Sequence, residues 1–166
     1  MESFGRMLEI LVTIVLIFFI PIQYFAVKQD MISQTYVTTQ TTYLVDSVRN
    51  LGYLNKGMYE SYLRKLQGTN NIYEIRMTHY QLVNEEENED YTKHYFSTYE
   101  KDILNQVYED SGNGRYEFHQ GDYLMVKVQN KNKTLGSILT GNFMGISPPK
   151  EQIQVVYGGM IRDEGF

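Results

Sequence analysis

The sequence contains no cysteine and no tryptophan, and only three prolines. Without cysteine there is no disulfide framework and no thiolate to serve as nucleophile or metal ligand. Any domain outside the cytoplasm must therefore hold itself together by packing alone, as is common in Gram-positive bacteria. Basic charge is also in short supply. Fifteen Lys and Arg stand against twenty Asp and Glu, a net charge of −5, which argues against binding nucleic acid by phosphate neutralisation. The three histidines, His79, His94 and His119, stand at no i, i+4 spacing with another ligand, and no HExxH is present. They read as ordinary strand and loop residues. A Gly-rich phosphate loop and a GxSxG elbow are both missing. Asn132-Lys133-Thr134 matches a glycosylation sequon, which acts only on a eukaryotic secretory route. The chain therefore carries no catalytic signature and calls for no cofactor and no metal.

What is present first is one apolar run, Leu8 to Val27, LEILVTIVLIFFIPIQYFAV. From Ile10 to Val27 only Thr13, Pro21 and Gln23 interrupt it. Those eighteen residues span roughly 27 Å as a helix, close to the hydrocarbon thickness of a bilayer. No polar stripe marks one face, as a core helix would require. A cleaved signal peptide would show a basic start and small residues before the cut. Here Arg6 is flanked by Glu2 and Glu9, and Tyr24-Phe25-Ala26 gives no A-x-A pattern. The run reads as an uncleaved anchor, with Tyr24 and Phe25 at the interface and Pro21 kinking the helix. Glu9 stands at the edge of the run, where a carboxylate either snorkels to the headgroups beside Arg6 or pairs with another subunit.

The helix is expected to continue past the anchor, over about residues 7–51. Val27, Met31, Gln34, Val37, Thr41, Leu44, Val48 and Leu51 follow a heptad-like spacing, a seam for the chain's own domain or for a multi-subunit helical core. Gly52 ends it, and Asn55 caps a second helix over 56–67 whose apolar face is Tyr59, Tyr62, Leu63 and Leu66. A short turn from Leu51 to Asn55 joins the two as a helical hairpin. Ile72–Val83 predicts a strand, and Asn84–Asp90, NEEENED, a solvated acidic loop without the spacing and Gly of a Ca²⁺ site. Ser97 and Glu100 form a capping box for a short helix to about Tyr108, whose solvated face explains Glu100, Asp102, Glu109 and Asp110. Strands follow at Tyr116–His119 and Asp122–Gln129, joined by a Gln120-Gly121 turn, with Leu124, Val126 and Val128 on one face. Leu135–Leu139 reads as a further strand, Gly141–Lys150 as a loop, and Gln152–Tyr157 as a last strand before a Gly158-Gly159 bulge or bend.

The sum is an α+β fold. Residues 1–28 form an N-terminal transmembrane anchor. Residues 29–166 form an extracytoplasmic domain, with a helical stalk and hairpin over 29–67 and a sheet-rich head over 72–166. The protein is expected in the cell membrane, single-pass, with a cytoplasmic N-terminus.

A short leader, an apolar helix with a Glu near its start and an internal Pro, a heptad-like extension and a small α+β head together resemble a pilin-like protein. The segments VDSVRNLGYLNKGMYESYLRKL, Val45–Leu66, and VVYGGMIR, Val155–Arg162, resemble the TadE-like and related small anchored proteins (the DUF4320-type family among them) of Firmicute Tad-type pilus and secretion loci. The resemblance implies a non-enzymatic minor subunit whose partners are the bilayer and other pilin-like or secretion-apparatus subunits. It places leader cleavage after Gly5 and assigns subunit pairing to Glu9. Counted from Arg6, Glu9 is the fourth residue where the family has its Glu fifth, so a processed and an unprocessed subunit both stay open. With Glu9, the residues expected to serve assembly are Pro21 for the kink and Leu44, Val48 and Leu51 for the seam. The alternative is an anchored extracytoplasmic sensor or ligand-binding module.

Overall fold

A computed structural model describes residues 2–87, 90–109, 114–145 and 153–162. The fold is α+β and is built on one helix, α1 (Glu2–Leu51), about 75 Å long at 1.5 Å per residue. It runs through Pro21 without interruption. Gly52, at φ +73°, ends it: its N–H reaches back to the Val48 carbonyl, and a left-handed backbone is available to glycine at little cost.

Between Gly52 and the second helix the chain forms a short strand, β1 (Tyr53–Asn55), where the sequence suggests only a turn. Its partner is β4 (Arg115–Glu117), far along the chain, so local patterning cannot announce it. Helix α2 (Lys56–Gln67) starts where Asn55 accepts a hydrogen bond from the Met58 N–H and ends at Gly68, within the expected bounds. It folds back on α1, burying Tyr59, Tyr62 and Leu66.

The main sheet is antiparallel throughout, in the order β3 (Asp90–Tyr99), β2 (Tyr73–Glu87), β5 (Tyr123–Asn130), β6 (Gln154–Met160). β2 (Tyr73–Glu87) is longer than expected: residues 84–87 of the acidic run pair with the start of β3 (Asp90–Tyr99), with Glu87 opposite Asp90. The hairpin ladder gives these backbone groups their partners, so acidic composition does not end the strand. Residues 88 and 89 of that run lie outside the described residues. The capping box also gives way. Ser97 pairs with Tyr80 inside β3, and helix α3 (Glu100–Tyr108) is preceded by Tyr99, which makes no side-chain cap. Asp110 lies outside the described residues.

β5 (Tyr123–Asn130) keeps the expected alternation, with Leu124, Val126 and Val128 on the core face. After it, Leu135–Leu139 is helical and not a strand. It opens α4 (Leu135–Met144), which also takes in Gly141–Met144 of the expected loop. Thr134 accepts from the Ser137 N–H as N-cap, and Gly145 closes the helix at φ +64°. The i, i+3, i+4 spacing of Leu135, Ile138 and Leu139 fits a helix face as well as it fits a short strand. The last strand, β6 (Gln154–Met160), pairs regularly with β5 through Gly158 and Gly159, so no bulge forms there. The two glycines serve close approach. A Cβ on Gly158 would lie 2.6 Å from the Leu124 carbonyl oxygen, and one on Gly159 would collide with the Arg49 side chain.

One hydrophobic cluster joins all of this. Val37, Leu44, Val45 and Val48 of α1 pack with Tyr62 and Leu66 of α2 and with the inner face of the sheet. The outer part of α1 is thus part of the head's core and not a separate stalk.

Candidate functional site

The two halves of α1 have opposite surroundings. From Leu8 to Phe25 nearly every apolar side chain is exposed, including Leu11, Ile14, Phe18 and Ile22. The most apolar eighteen-residue window has a mean hydropathy of 2.5 and is 6% buried. A core helix of a soluble protein would be mostly covered. Each large apolar side chain left in water forgoes roughly 1.5–3 kcal/mol, which sums to the order of tens of kcal/mol over this run. The half-helix is long and apolar enough for one membrane span.

The expected assembly residues divide between these surroundings. Glu9 is exposed, one turn beyond Gly5, and a Cβ on Gly5 would touch nothing within 4 Å. Pro21 is exposed within the span. Leu44 and Val48 are committed to the chain's own core at 6% and 0% exposure. Leu51, in the last turn, is exposed. The seam holds only from Val37 to Val48. Below it Val27 and Met31 face outward, and Ala26 and Ser33 are buried in their place. A straight helix drifts by about 20° per heptad against a strict seven-residue repeat, so the covered face rotates off the predicted seam over several turns.

The structure brings together the two segments on which the resemblance rests. Arg49 forms an ion pair with Asp46 at 2.8 Å, and its Nε donates to the Met160 carbonyl at 3.0 Å. The Arg162 N–H donates to the Arg49 carbonyl, and the Tyr157 hydroxyl donates to Asp46 at 3.2 Å. The Gly158-Gly159 pair leaves room for this crossing, so VDSVRN and VVYGGMIR form one latch between α1 and the edge strand. Lower down, the Gln34 amide bonds both the N–H and the carbonyl of Gln154.

A second cluster lies inside the head. His79 follows Ile75 and Met77 on the core face of β2 and is 2% exposed. Its Nε2 lies 2.8 Å from Asp122 Oδ2 and its Nδ1 2.8 Å from the Tyr116 hydroxyl. Asp122, 1% exposed, also accepts from the backbone N–H groups of Leu82 and His119. Those bonds suit a carboxylate, so His79 donates through Nε2–H and its Nδ1 accepts from Tyr116; this tautomer follows from the network. Burial pushes the Tyr116 phenol up, which keeps its proton available, and Thr98 hydrogen-bonds the same oxygen. Phe118 closes over the ring at 4.7 Å. The Thr98–Tyr116–His79–Asp122 chain ties β3, β4, β2 and the turn before β5 together. His79, Asp122 and Tyr116 are buried, and Thr98 at the end of the chain is half-buried. A core-face His with an Asp just ahead of a strand is the signal that reading each histidine singly misses. Among the described residues no three His, Asp or Glu side chains gather as a metal site.

The third feature lies where the two halves of α1 meet. Asp30 accepts from the Thr134 hydroxyl at 2.5 Å, tying α4 to α1. Gly136 permits the approach, since a Cβ there would collide with Asp30 and stand 3.3 Å from the Ala26 carbonyl oxygen. Beside this contact a cleft of about 730 Å³ opens between α1, α4 and the loops at 69–71 and 131–133. Asn132 braces those loops, accepting from the Ile72 N–H at 2.7 Å and donating to Asn71 at 3.0 Å.

Comparison with protein-family models, with curated proteins and with solved structures gives no match at a significant level. The functional reading therefore rests on the geometry together with the resemblance carried by Val45–Leu66 and Val155–Arg162.

Proposed function

We propose that the chain is a non-enzymatic, membrane-anchored, pilin-like minor subunit of a Tad-type pilus or secretion apparatus. Its N-terminus is cytoplasmic and its head lies outside the cell. The observation that carries this reading is the division of one unbroken helix: a protruding apolar half, and a second half laid across an antiparallel sheet. Such a helix holds the subunit in the bilayer before assembly and offers the same apolar surface to neighbouring helices afterwards. Glu9 supplies the polar contact in that surface. An unpaired carboxylate in low dielectric is costly, so a positive group of a neighbour is its natural complement. Leu44 and Val48 belong to the subunit's own stability, which leaves the exposed part of α1 to carry assembly.

Crosslinking tests this. The sequence has no cysteine, so Ile14→Cys provides a unique thiol on the exposed half of α1. In native membranes a thiol crosslinker should join it to other subunits. Glu9→Gln should reduce those adducts without lowering expression or insertion. Glu9→Leu should act alike while making the span more apolar, so poorer insertion cannot explain the loss. Adducts unchanged in both variants would remove Glu9 from assembly, and the absence of any adduct would oppose the subunit reading.

A further inference from the structure

We infer that α4 is a second membrane contact: it seats the base of the head in the lipid leaflet, and a phospholipid occupies the cleft between α4 and α1. The inference rests on the reading of α1 as a membrane span. If Leu8–Val27 crosses the bilayer, about 30 Å of helix fills the hydrocarbon, and Ile22 to Val27 lie in its last turns. The position of α4 then follows from its contacts with Ala26 and Asp30, which lie beyond Pro21 on the one continuous helix.

The composition of α4 suits that depth. Its ten residues, LGSILTGNFM, include no charged side chain, yet Leu135 and Ile138 are 63% and 41% exposed. The cleft is divided in the same sense. Ile22, Phe25, Leu135 and Leu139 supply its apolar lining, and Asn71 and Lys133 are among its polar lining residues. An acyl chain matches the first surface, and a headgroup phosphate matches the second. Charge along the head agrees. Lys131 and Lys133 lie at the base, whereas Glu85, Glu86 and Glu87 lie at the far end of β2, some 46 Å away along the strand at about 3.3 Å per residue. Both acids at the base are engaged: Asp30 accepts from Thr134, and Glu74 pairs with Arg76 at 2.9 Å and with Lys131 at 3.8 Å, which leaves Lys133 as the cation facing the cleft.

The lack of tryptophan makes the test direct, since each introduced indole is the only one in the chain. Ile138→Trp and Leu135→Trp replace exposed side chains on α4. Ile14→Trp reports on the span, and Phe96→Trp on an exposed position of β3. The full-length variants are reconstituted in vesicles of phosphatidylcholine and phosphatidylglycerol, with and without lipid brominated near the headgroup end of its acyl chains. Ile138→Trp and Leu135→Trp should emit to the blue of Phe96→Trp and lose roughly half of their emission to the brominated lipid, as expected for side chains about 5–10 Å into the interface. Phe96→Trp should be unaffected. If Ile14→Trp is quenched while both α4 reporters behave like Phe96→Trp, the seat is overturned and the span stands. If Ile14→Trp is not quenched, the span falls and the seat with it. Blue-shifted α4 reporters without quenching would put protein against α4 and also overturn the inference.

Discussion

His79 shows how one buried residue can hold several strands. Its ring bonds Asp122 on one side and Tyr116 on the other. His79→Phe keeps the volume but leaves a buried carboxylate and a buried phenol without this partner. Unfolding in detergent should then need less denaturant, by about 3 kcal/mol, with circular dichroism as the readout. Tyr62 gives a second test. The Thr41 hydroxyl donates to the Val37 carbonyl, so Tyr62 donates to Thr41, and burial moves the Tyr62 phenol from 10.0 to about 12. A phenol held above its unfolded value contributes stability that is complete below pH 10. That contribution is lost as pH rises from about 10 to about 12. Tyr62→Phe should cost about 1 kcal/mol at neutral pH and should flatten that alkaline loss. An alkaline limb as steep as in the unaltered chain would assign the effect to other groups.

At the scale of elements, β6 depends on close approach. A side chain on Gly158 meets the backbone of β5, which cannot swing aside as a flexible side chain could. Gly158→Ala should therefore destabilise the head by about 1–3 kcal/mol, most visibly as faster amide exchange along β5 and β6. Unchanged exchange would mean that the strands can separate freely. The same element shows where the sequence could and could not be read. Apolar periodicity and the Asn55 and Gly52 punctuation are local, and they placed α1, α2 and β5 to within a few residues. β1 exists only because of β4, and β2 extends into an acidic segment only because β3 lies beside it; neither is written in its own residues. α4 was ambiguous because five apolar-rich residues fit both periods, and Thr134 as a cap decided it. At the candidate sites the exposed apolar half of α1 was legible from hydropathy. The latch of Asp46, Arg49 and Tyr157 and the chain through His79 depend on residues as many as 111 positions apart. The seam was half legible, because a heptad count ignores the rotation of a straight helix against the sheet it crosses.

At the scale of the molecule, one helix supplies both the exposed apolar half proposed as the anchor and the centre of the core. The same rod that presents Leu11, Ile14 and Phe18 outward places Val37, Val45 and Val48 in the centre of the head. On the proposed reading, mutations that loosen the head change how the span is held. The central claim, one span with the head outside, is tested most directly by thiol accessibility in intact protoplasts. Because the sequence has no cysteine, Ser3→Cys, Ile14→Cys and Phe96→Cys each carry a single thiol. A membrane-impermeant maleimide should label Phe96→Cys at once and Ser3→Cys only after permeabilisation. Ile14→Cys should stay unlabelled until the bilayer is dissolved. Labelling of Ser3→Cys with protection of Phe96→Cys in intact cells would reverse the topology, and ready labelling of Ile14→Cys would contradict the span itself.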